Sequence, residues 1–383
     1  MNSISALNYR VINTALQLQE AVKLLETEKT VAFDLEADSM YHYKEKVCLI
    51  QMAAGHTVIL IDPLAVPDLS PLKPVFANPD IRKVLHGADY DIRSLYRDFH
   101  IKINHLFDTQ LASRFLGAVE TGLDAVLTKR FNVKLEKKYQ KKDWSRRPLP
   151  PEMMAYAARD VLYLIPLAKI LEEELIQKDR LFWVVEENRV LSKVRPNSTH
   201  HEPLYLNFKG AGRLSPRELG ILEALLLFRR TVAAKKDRPL FKVLGNPTLL
   251  SIVKNRPETV QGLERVQPLS AKQIGIYGRD LIEKVTTALT IPAENLPRYP
   301  RQRVPMLKPA VRKRVKVLNA WRETVAAQLA LDPALICSKG LMVALARLNP
   351  RTPPELENIT EMKNWQKKMF GKEIVAVLKK AGK

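Results

Sequence analysis

Cysteine is scarce in this sequence, with Cys48 and Cys337 the only two among 383 residues. Two cysteines so far apart in the chain argue against a disulfide framework or a zinc cluster, and each is expected to be a small core residue. No apolar run approaches the length needed to cross a bilayer, and the first thirty residues lack the basic start and apolar centre of a signal peptide. We therefore expect a soluble cytoplasmic protein that does not enter a membrane.

Two common catalytic signatures are also missing. The sequence has no G-x-x-x-x-G-K-[ST] phosphate loop, which argues against a motor and against a bound nucleotide cofactor. It has no recognisable serine or cysteine triad either. Because phosphoryl transfer needs positioning and charge more than a covalent nucleophile, the missing triad leaves that class of reaction open.

Positive charge is concentrated in the second half of the chain. Residues 1–200 carry 28 Lys and Arg against 26 Asp and Glu, a net of +2, whereas residues 201–383 carry 34 against 15, a net of +19. A near-neutral half followed by a strongly basic half predicts a catalytic domain followed by modules that hold a polyanion. Nucleic acid is the first candidate for that polyanion, and an anionic membrane surface is the second.

The spacing of apolar residues predicts strands and helices in the first half, with Thr14 as a possible cap of the first helix. The buried face of that helix is predicted to contain Leu16, Ala21, Val22 and Leu25. The predicted elements are a helix over 13–28, strands over 31–36, 47–53 and 57–61, a helix over 71–77, a strand over 83–86, a helix over 89–99, an apolar segment at 106–107 and a helix ending near 117. The short Gly55-His56 link makes the second and third strands antiparallel neighbours. This order indicates an α/β layer with a mixed sheet.

The second half contains an internal repeat. From residue 214 onwards there is no strand pattern, and residues recur at a constant offset of 93, as in Arg229 and Arg322 or Pro257 and Pro350. The simplest account is two copies of one all-helical module of roughly 75 residues. We predict a catalytic domain over 1–205, helical modules over 212–291 and 310–383, and a stiff, proline- and arginine-rich linker over 292–309.

Two acids interrupt the apolar run of the first predicted strand. Asp34 and Glu36 are two positions apart, so their carboxylates lie side by side on one face of a strand. Adjacent buried carboxylates repel one another unless a cation lies between them or one is protonated, which indicates a divalent-metal site. The alternative is a strand edge whose acids face water.

Further acids occur downstream at two places. Asp89 and Asp91 follow the fourth strand; Asp89 could cap the helix that begins there, and Asp91 is favoured as the functional acid. Tyr156 and Asp160 are four residues apart on a predicted helix, so a phenol and a carboxylate share one face. The alternative for this pair is an acid on a solvated face beside a core tyrosine.

Taken together, these segments resemble the DEDD superfamily of 3′→5′ exonucleases, in the subgroup with tyrosine in the last motif, and within it the ribonuclease D family. The resemblance extends to the surrounding residues Cys48-Leu49-Ile50-Gln51, His86-Gly87-Ala88, Phe107-Asp108-Thr109-Gln110 and Asp143-Trp144-Ser145-Arg146-Arg147-Pro148-Leu149. The basic repeat is similar to the pair of helicase-and-RNase-D C-terminal (HRDC) domains of that family. The likeness covers nearly the whole chain.

The resemblance implies a ribonuclease-H-like fold for the first half and two metal ions, Mg²⁺ or Mn²⁺. It implies that Asp34 bridges both ions, that Glu36 and Asp160 complete the first site and that Asp91 serves the second through water. Tyr156 would orient the attacking water. Two ions about 4 Å apart lower the pKa of water and neutralise charge on the leaving oxygen. Asp108 is interpreted as structural or as a helix cap.

Basic and aromatic residues are expected to hold the RNA. In the catalytic domain the candidates are Lys137, Lys138, Tyr139, Lys141, Lys142, Trp144, Arg146 and Arg147, a mixture of phosphate contacts and stacking faces. In the helical modules they are Arg229, Arg230, Lys235, Lys236, Arg312, Lys313 and Arg314, which could hold a structured RNA by shape and phosphate. The resemblance suggests precursor transfer RNA as the substrate, and the sequence itself does not distinguish it from other structured RNA. We expect a monomer.

Three other functions stay open at this point. A non-catalytic nucleic-acid binder would keep the fold, but every metal acid is present. A helicase accessory is suggested by the HRDC modules, and the missing phosphate loop argues against a motor in this chain. A 3′→5′ deoxyribonuclease would use the same metal acids, because these residues do not contact a 2′-hydroxyl.

Overall fold

The computed structural model describes residues 8–196, 203–265, 269–300 and 306–381. Within them, six strands form one mixed sheet: β1 (Tyr9–Ile12), β2 (Thr30–Ala37), β3 (Val47–Ala54), β4 (Thr57–Ile61), β5 (Arg82–Leu85) and β6 (Leu106–Asp108). The strand order is β1-β4-β3-β2-β5-β6. β2, β3 and β4 are antiparallel neighbours, as predicted, whereas β1, β5 and β6 join in parallel. The mixed sheet is confirmed, and β1 is a strand that the sequence pattern missed.

Strand β2 divides its side chains between the two faces of the sheet. Val31 and Phe33 enter the core on one face, and Ala32 belongs to the core on the other. Because side chains alternate along a strand, Asp34 lies on the same face as Ala32, and Glu36 follows it there. This face packs against a helix from later in the chain, which brings further site residues to the two acids.

The helices of the first half are α1 (Ala15–Glu26), α2 (Lys73–Ala77), α3 (Asp89–Phe99), α4 (Thr109–Phe115), α5 (Leu123–Phe131), α6 (Pro151–Leu162), α7 (Leu164–Gln177) and α8 (Leu181–Leu191). Thr14 caps α1 as predicted, since its side chain accepts a hydrogen bond from the Gln17 amide. The predicted buried face of α1 needs one correction. Leu16 is 68% exposed, and Leu18 is buried instead. The face of α1 that packs against the core therefore contains Leu18 and does not extend to Leu16.

The second half is all-helical over the described residues, as predicted, and the repeat is visible helix by helix. The first module contains α9 (Pro216–Lys236), α10 (Leu240–Val243), α11 (Asn246–Asn255), α12 (Val260–Arg265) and α13 (Ala271–Leu289). The second contains α14 (Pro309–Leu329), α15 (Pro333–Ile336), α16 (Lys339–Leu348) and α17 (Asn364–Ala381). The first helices start at Pro216 and Pro309, 93 positions apart, and both end in a left-handed residue, Asp237 and Ala330.

The chain forms two compact units, and each unit contains segments that are not contiguous in the sequence. One comprises Met1–Ala37, Val47–Pro196 and Pro305–Lys383, and the other comprises Asp38–Lys46 and Asn197–Val304. The second helical module therefore belongs to the same unit as the sheet. The connection between β2 and β3 belongs to the unit of the first helical module.

Aromatic stacking joins the second module to the sheet domain. Trp365 of α17 stacks on Trp183 of α8, with ring centroids 4.7 Å apart and an interplanar angle of 17°. The Trp365 indole donates a 3.0 Å hydrogen bond to Glu187, and the Glu186 carboxylate accepts from the backbone amides that begin α17. The Arg180 guanidinium donates to the carbonyls that end α4 and α14. Trp183 and Trp365 belong to one continuous hydrophobic core that the sheet domain and the second module share.

The segment predicted as a linker is only partly described, because residues 301–305 lie outside the described residues. Its first part is not free of the preceding module. Tyr299 packs against the core of the first module, and its hydroxyl donates a 3.2 Å hydrogen bond to the Leu206 carbonyl. Among the described residues, no helix is long and apolar enough to span a membrane.

Candidate active site

The catalytic candidates come from three elements that meet on one face of the sheet. Asp34 and Glu36 lie on β2, and α6 packs across β2, β3 and β4 with Tyr156 and Asp160. Asp34 lies directly opposite Gln51 in the β2–β3 ladder. The fold brings Glu36 near three other carboxylates, and the negative charges of Asp34, Asp91 and Asp160 contribute to raising its pKa.

Asp91 reaches this site through the turn after β5. Gly87 has φ +78°, a conformation that favours glycine, and the Asp108 carboxylate accepts hydrogen bonds of 3.0 and 2.9 Å from the Gly87 and Ala88 amides. The same carboxylate caps α4, so the structural interpretation of Asp108 is confirmed. Asp91 is buried, and it lies near enough to Asp34 for the negative charge of Asp34 to raise its pKa.

Asp89 does not cap α3. Its carboxylate pairs with the Arg93 guanidinium at 2.8 Å on the exposed side of the helix. The structure therefore separates the two aspartates that the sequence left in competition. Asp89 belongs to the surface, and Asp91 belongs to the acid cluster.

Burial raises the pKa values of all four carboxyl groups, and the negative charge of neighbouring acids adds to this for Glu36, Asp91 and Asp160. Burial raises the pKa of Asp34 to about 6, and burial together with the Asp34 charge raises the pKa of Asp160 to about 8. The pKa values of Glu36 and Asp91 rise well above their usual range for the same reasons. In the part of the chain that the structure describes, none of the four forms an ion pair with lysine or arginine.

The donor set fits hard divalent cations. Four carboxylates without a basic partner supply the oxygen ligands that Mg²⁺ and Mn²⁺ prefer, and a cation would offset the repulsion that raises their pKa values. As placed, no three acidic, histidine or cysteine side chains among the described residues lie close enough to share one ion. The carboxylates would therefore have to turn toward an ion as it binds.

Tyr156 is held beside the acids by aromatic packing. Its ring lies 5.8 Å from the Tyr139 ring and 6.1 Å from the Trp144 ring, measured between centroids. Burial and the negative charge of the nearby Asp160 raise the pKa of the phenol. The phenol therefore stays protonated at neutral pH.

A cleft of about 430 Å³ is lined by Asp34, Glu36, Tyr156 and Asp160. Lys137 lines it and pairs with Asp124 at 2.9 Å, with 66% of the lysine side chain exposed. His86 also lines the cleft, and its Nε2 donates a 2.8 Å hydrogen bond to the Thr121 carbonyl. His86 was quoted for the resemblance without a role; its place directly before Gly87 at the end of a strand was the available signal.

The predicted RNA contacts of the catalytic domain divide into exposed and buried residues. Lys138, Lys141, Lys142 and Arg146 are exposed, and Tyr139 is half-buried beside Tyr156. One expectation needs correction. Trp144 is fully buried under α6, so its ring has no face for a base. Arg147 is exposed, and its guanidinium is bound to the Asp62 carboxylate at 2.6 Å and to the Cys48 carbonyl.

In the helical modules, Arg229 also needs correction. It is buried, and its guanidinium donates to the Leu244 carbonyl and to Asn246, which ties α9 to the start of α11. Arg322 makes the equivalent bond to Cys337 in the second module, so the repeat preserves a structural arginine. The other predicted contacts, Arg230, Lys235, Lys236, Arg312, Lys313 and Arg314, are exposed or half-buried.

Comparison with known proteins agrees with this arrangement. A family model described as a 3′-5′ exonuclease matches residues 9–176, and a model for the HRDC domain matches residues 218–285 and 311–378. Ribonuclease D of Gluconacetobacter diazotrophicus is 31% identical over 373 residues, covering 96% of this chain and 92% of that protein.

Two solved structures are similar over most of their length. One, at 26% identity and a TM-score of 0.71, is Escherichia coli RNase D, described as an exoribonuclease involved in structured RNA processing; the match covers 97% of this chain and 99% of that one. The other, at 30% identity and a TM-score of 0.66, is the catalytic core of RRP6 from Trypanosoma brucei, with 75% and 81% covered. Together with the acid cluster, the cleft and the paired modules, these similarities show that the chain belongs to the ribonuclease D family of 3′→5′ exoribonucleases.

Proposed function

We propose that Asp34, Glu36, Asp91 and Asp160 hold two divalent ions, Mg²⁺ or Mn²⁺, for hydrolysis of the last phosphodiester of an RNA. The observation that carries this proposal is a set of four carboxylates, three of them buried and Asp34 half-buried, with raised pKa values and no basic partner among the described residues. When bound, the ions would activate water and offset charge on the leaving 3′ oxygen. The products are nucleoside 5′-monophosphates.

The chain's own residues position the reactants. Tyr156 keeps its proton, so its hydroxyl is available to orient a water molecule beside Asp160. Asp34 and Glu36 occupy a central strand that is paired on both sides, which fixes their backbone positions two residues apart on one face of the sheet. Because positioning and electrostatic stabilisation account for most phosphoryl-transfer catalysis, these fixed groups supply what the reaction needs.

RNA enters as a single 3′-terminal strand. Lys137 at the cleft is mostly exposed, and it would exchange Asp124 for an RNA phosphate at little cost, because exposed ion pairs contribute roughly 0–1 kcal/mol. The exposed residues Lys138, Lys141, Lys142 and Arg146 extend a basic path from there, and Tyr139 offers a ring edge beside Tyr156. We assign contacts to the body of the RNA to Arg230, Arg312, Lys313 and Arg314.

We further infer that the substrate is a structured RNA with a protruding 3′ tail, such as precursor transfer RNA, trimmed by a monomeric enzyme in the cytoplasm. The relative named as a structured-RNA exoribonuclease supports this choice. A 5′-labelled RNA with a stable stem and a 3′ tail, incubated with Mg²⁺, Mn²⁺ or chelator, tests it. We expect a ladder that shortens from the 3′ end only with metal, and no turnover with Asp160→Asn.

Two controls complete the experiment. DNA of equal sequence, assayed in parallel, separates a ribonuclease from a deoxyribonuclease that uses the same acids. Chromatography of the released products distinguishes 5′-monophosphates from 3′-monophosphates. Cleavage that persists in chelator, or in purified Asp34→Asn, would refute the metal assignment, and RNA that is bound but left intact would favour a binding module.

A further inference from the structure

Gln51 of β3 is a fully buried glutamine whose carboxamide is unpaired. The residue is 0% exposed, and neither its Oε1 nor its Nε2 has a hydrogen-bond partner among the residues that the structure describes. A carboxamide has an acceptor oxygen and two donor hydrogens, and proteins nearly always pair such groups when they bury them, because burial removes their hydration. Packing alone would favour an apolar residue of the same size at position 51.

A second buried glutamine, Gln366 of α17, shows the usual arrangement. Its Nε2 donates a 3.0 Å hydrogen bond to the Ile336 carbonyl, and its Oε1 accepts a 3.0 Å hydrogen bond from the Lys363 amide. Both ends of that carboxamide are satisfied, and Gln366 ties segments of the second module together. Gln51 is buried at least as deeply and makes no such bond within the described part of the chain.

The sheet places Gln51 beside Asp34. The two residues are directly opposite in the antiparallel β2–β3 ladder, so their side chains leave the sheet on the same face, with Cβ atoms about 4.5–5.5 Å apart. The glutamine side chain is long enough to cross that gap. On the other side of β3, Gln51 lies opposite Leu60 of β4, whose side chain has no polar group. Of the side chains directly across the two neighbouring strands, only that of Asp34 can therefore accept a hydrogen bond from Gln51.

A second unpaired donor lies on this side of the sheet. The Trp144 ring belongs to the same core as Leu49 and Ala53, the two β3 residues that flank Gln51 on its own face. The indole nitrogen of Trp144 is buried and also has no partner among the described residues. The Arg147 guanidinium holds this tryptophan against β3, because it donates both to the Trp144 carbonyl and to a carbonyl of β3. An unpaired indole donor thus faces the side of the sheet that carries an unpaired amide oxygen.

We propose that Gln51 is a positioning residue for the metal site. Its Nε2 donates to the Asp34 carboxylate as that group turns toward an ion, and its Oε1 accepts from the Trp144 indole. A carboxylate oxygen that binds a cation keeps a lone pair for a hydrogen bond, and a hydrogen bond from outside the ligand set fixes the direction in which the ligand points. Because the Gln51 amide gains its partner only in this arrangement, it favours binding of the ion. This role of Gln51 depends on the metal site proposed for Asp34.

Gln51→Met tests the role, because methionine has a similar length and no polar hydrogen. Binding of Mn²⁺ to the full-length protein is measured by electron paramagnetic resonance, and the melting temperature is measured in chelator. We expect the affinity for Mn²⁺ to fall roughly ten- to a hundredfold, as for other groups that orient metal ligands. The melting temperature should stay equal or rise, because the unpaired amide is gone. A merely structural glutamine would show the reverse, a lower melting temperature with unchanged affinity for Mn²⁺.

The matched control is Gln366→Met, which removes a buried carboxamide whose two ends are paired. It should lower the melting temperature and leave the affinity for Mn²⁺ unchanged. A second measurement follows the hydrogen bond itself by nuclear magnetic resonance of protein labelled at the glutamine side-chain nitrogen. The Gln51 signal, identified by its loss in Gln51→Met, should shift as Mg²⁺ is added, with the same midpoint as metal binding, whereas the Gln366 signal should stay in place.

Two outcomes would overturn the role of Gln51 and leave the active-site proposal intact. One is equal affinity for Mn²⁺ in the wild type and in Gln51→Met, and the other is a Gln51 amide signal that does not respond to Mg²⁺. A wild-type protein that binds no Mn²⁺ would instead contradict the active-site proposal, and the role of Gln51 would fail with it.

Discussion

Replacing Asp160 with asparagine should stabilise the metal-free protein. The Asp160 carboxyl is buried beside other acids, and these surroundings raise its pKa from 3.8 to about 8. Because the folded state holds this proton more tightly than the unfolded state, the contribution of Asp160 to stability is fully present below about pH 4 and is lost as the pH rises to about 8. Asparagine carries no charge in either state, so it removes this loss.

The magnitude follows from the size of the pKa shift. A rise from 3.8 to about 8 corresponds to about 6 kcal/mol at 1.36 kcal/mol per unit. This is the largest gain that Asp160→Asn can show above pH 8, and the gain should fall toward zero near pH 4. Asparagine has nearly the same size and shape as aspartate, so the packing around residue 160 is kept.

Urea unfolding in chelator between pH 5 and pH 9 measures this difference. We expect the wild-type free energy of unfolding to fall with pH relative to that of the variant. Saturating Mg²⁺ should narrow the difference, because an ion at one hundred times its dissociation constant adds about 2.7 kcal/mol to a protein that binds it. The variant should gain less from Mg²⁺, since it lacks one carboxylate.

The matched control is Asp280→Asn, which changes an exposed acid on α13 and should leave both the stability and its pH dependence unaltered. If Asp160→Asn is no more stable than the wild type in chelator at pH 8, the repulsion among the four acids is not a real feature of the folded protein. The reasoning that connects burial to metal binding would then fail.

Two further predictions concern the packing of the second helical module. Trp365→Ala should lower the free energy of unfolding by about 3–5 kcal/mol, because the ring lies in a core shared with Trp183. The urea midpoints measured by circular dichroism and by nuclease activity should fall together. A nuclease midpoint that does not move would show separate cores. Gly117→Ala should lower the melting temperature, because φ is +89° and the new Cβ would lie 2.5 Å from the Ala330 oxygen, whereas the control Gly275→Ala has open space and should gain roughly 0.5–1 kcal/mol. Equal melting temperatures for the two glycine variants would contradict the close approach.

Much of the local structure was predictable because its causes are local. The Thr14 cap, the antiparallel strands β2 to β4 and the helical repeat each follow from spacing within one segment. Strand β1 was missed because its four residues show little alternation and it is defined only by parallel pairing with β4. The buried face of α1 was partly wrong at Leu16 because the rotation of a helix depends on what it packs against.

The candidate site was partly visible in the same way. Asp34 and Glu36 share a face because of the period of a strand, and Tyr156 and Asp160 do so because of the period of a helix. Asp91 was already favoured over Asp89 from the sequence, and the turn that Asp108 and Gly87 hold after β5 shows how Asp91 reaches the other acids.

The sequence by itself determined which residue types are available, their local periodicity and the duplication of the helical module. Only the tertiary structure decided which of them face water. Trp144 and Arg229 are residue types that commonly contact RNA, yet segments distant in the chain bury them. Trp365 and Lys272 occupy equivalent positions of the repeat, but Trp365 is buried and Lys272 is exposed. Burial is a property of what packs around a side chain, and that packing is set by residues far away in the chain.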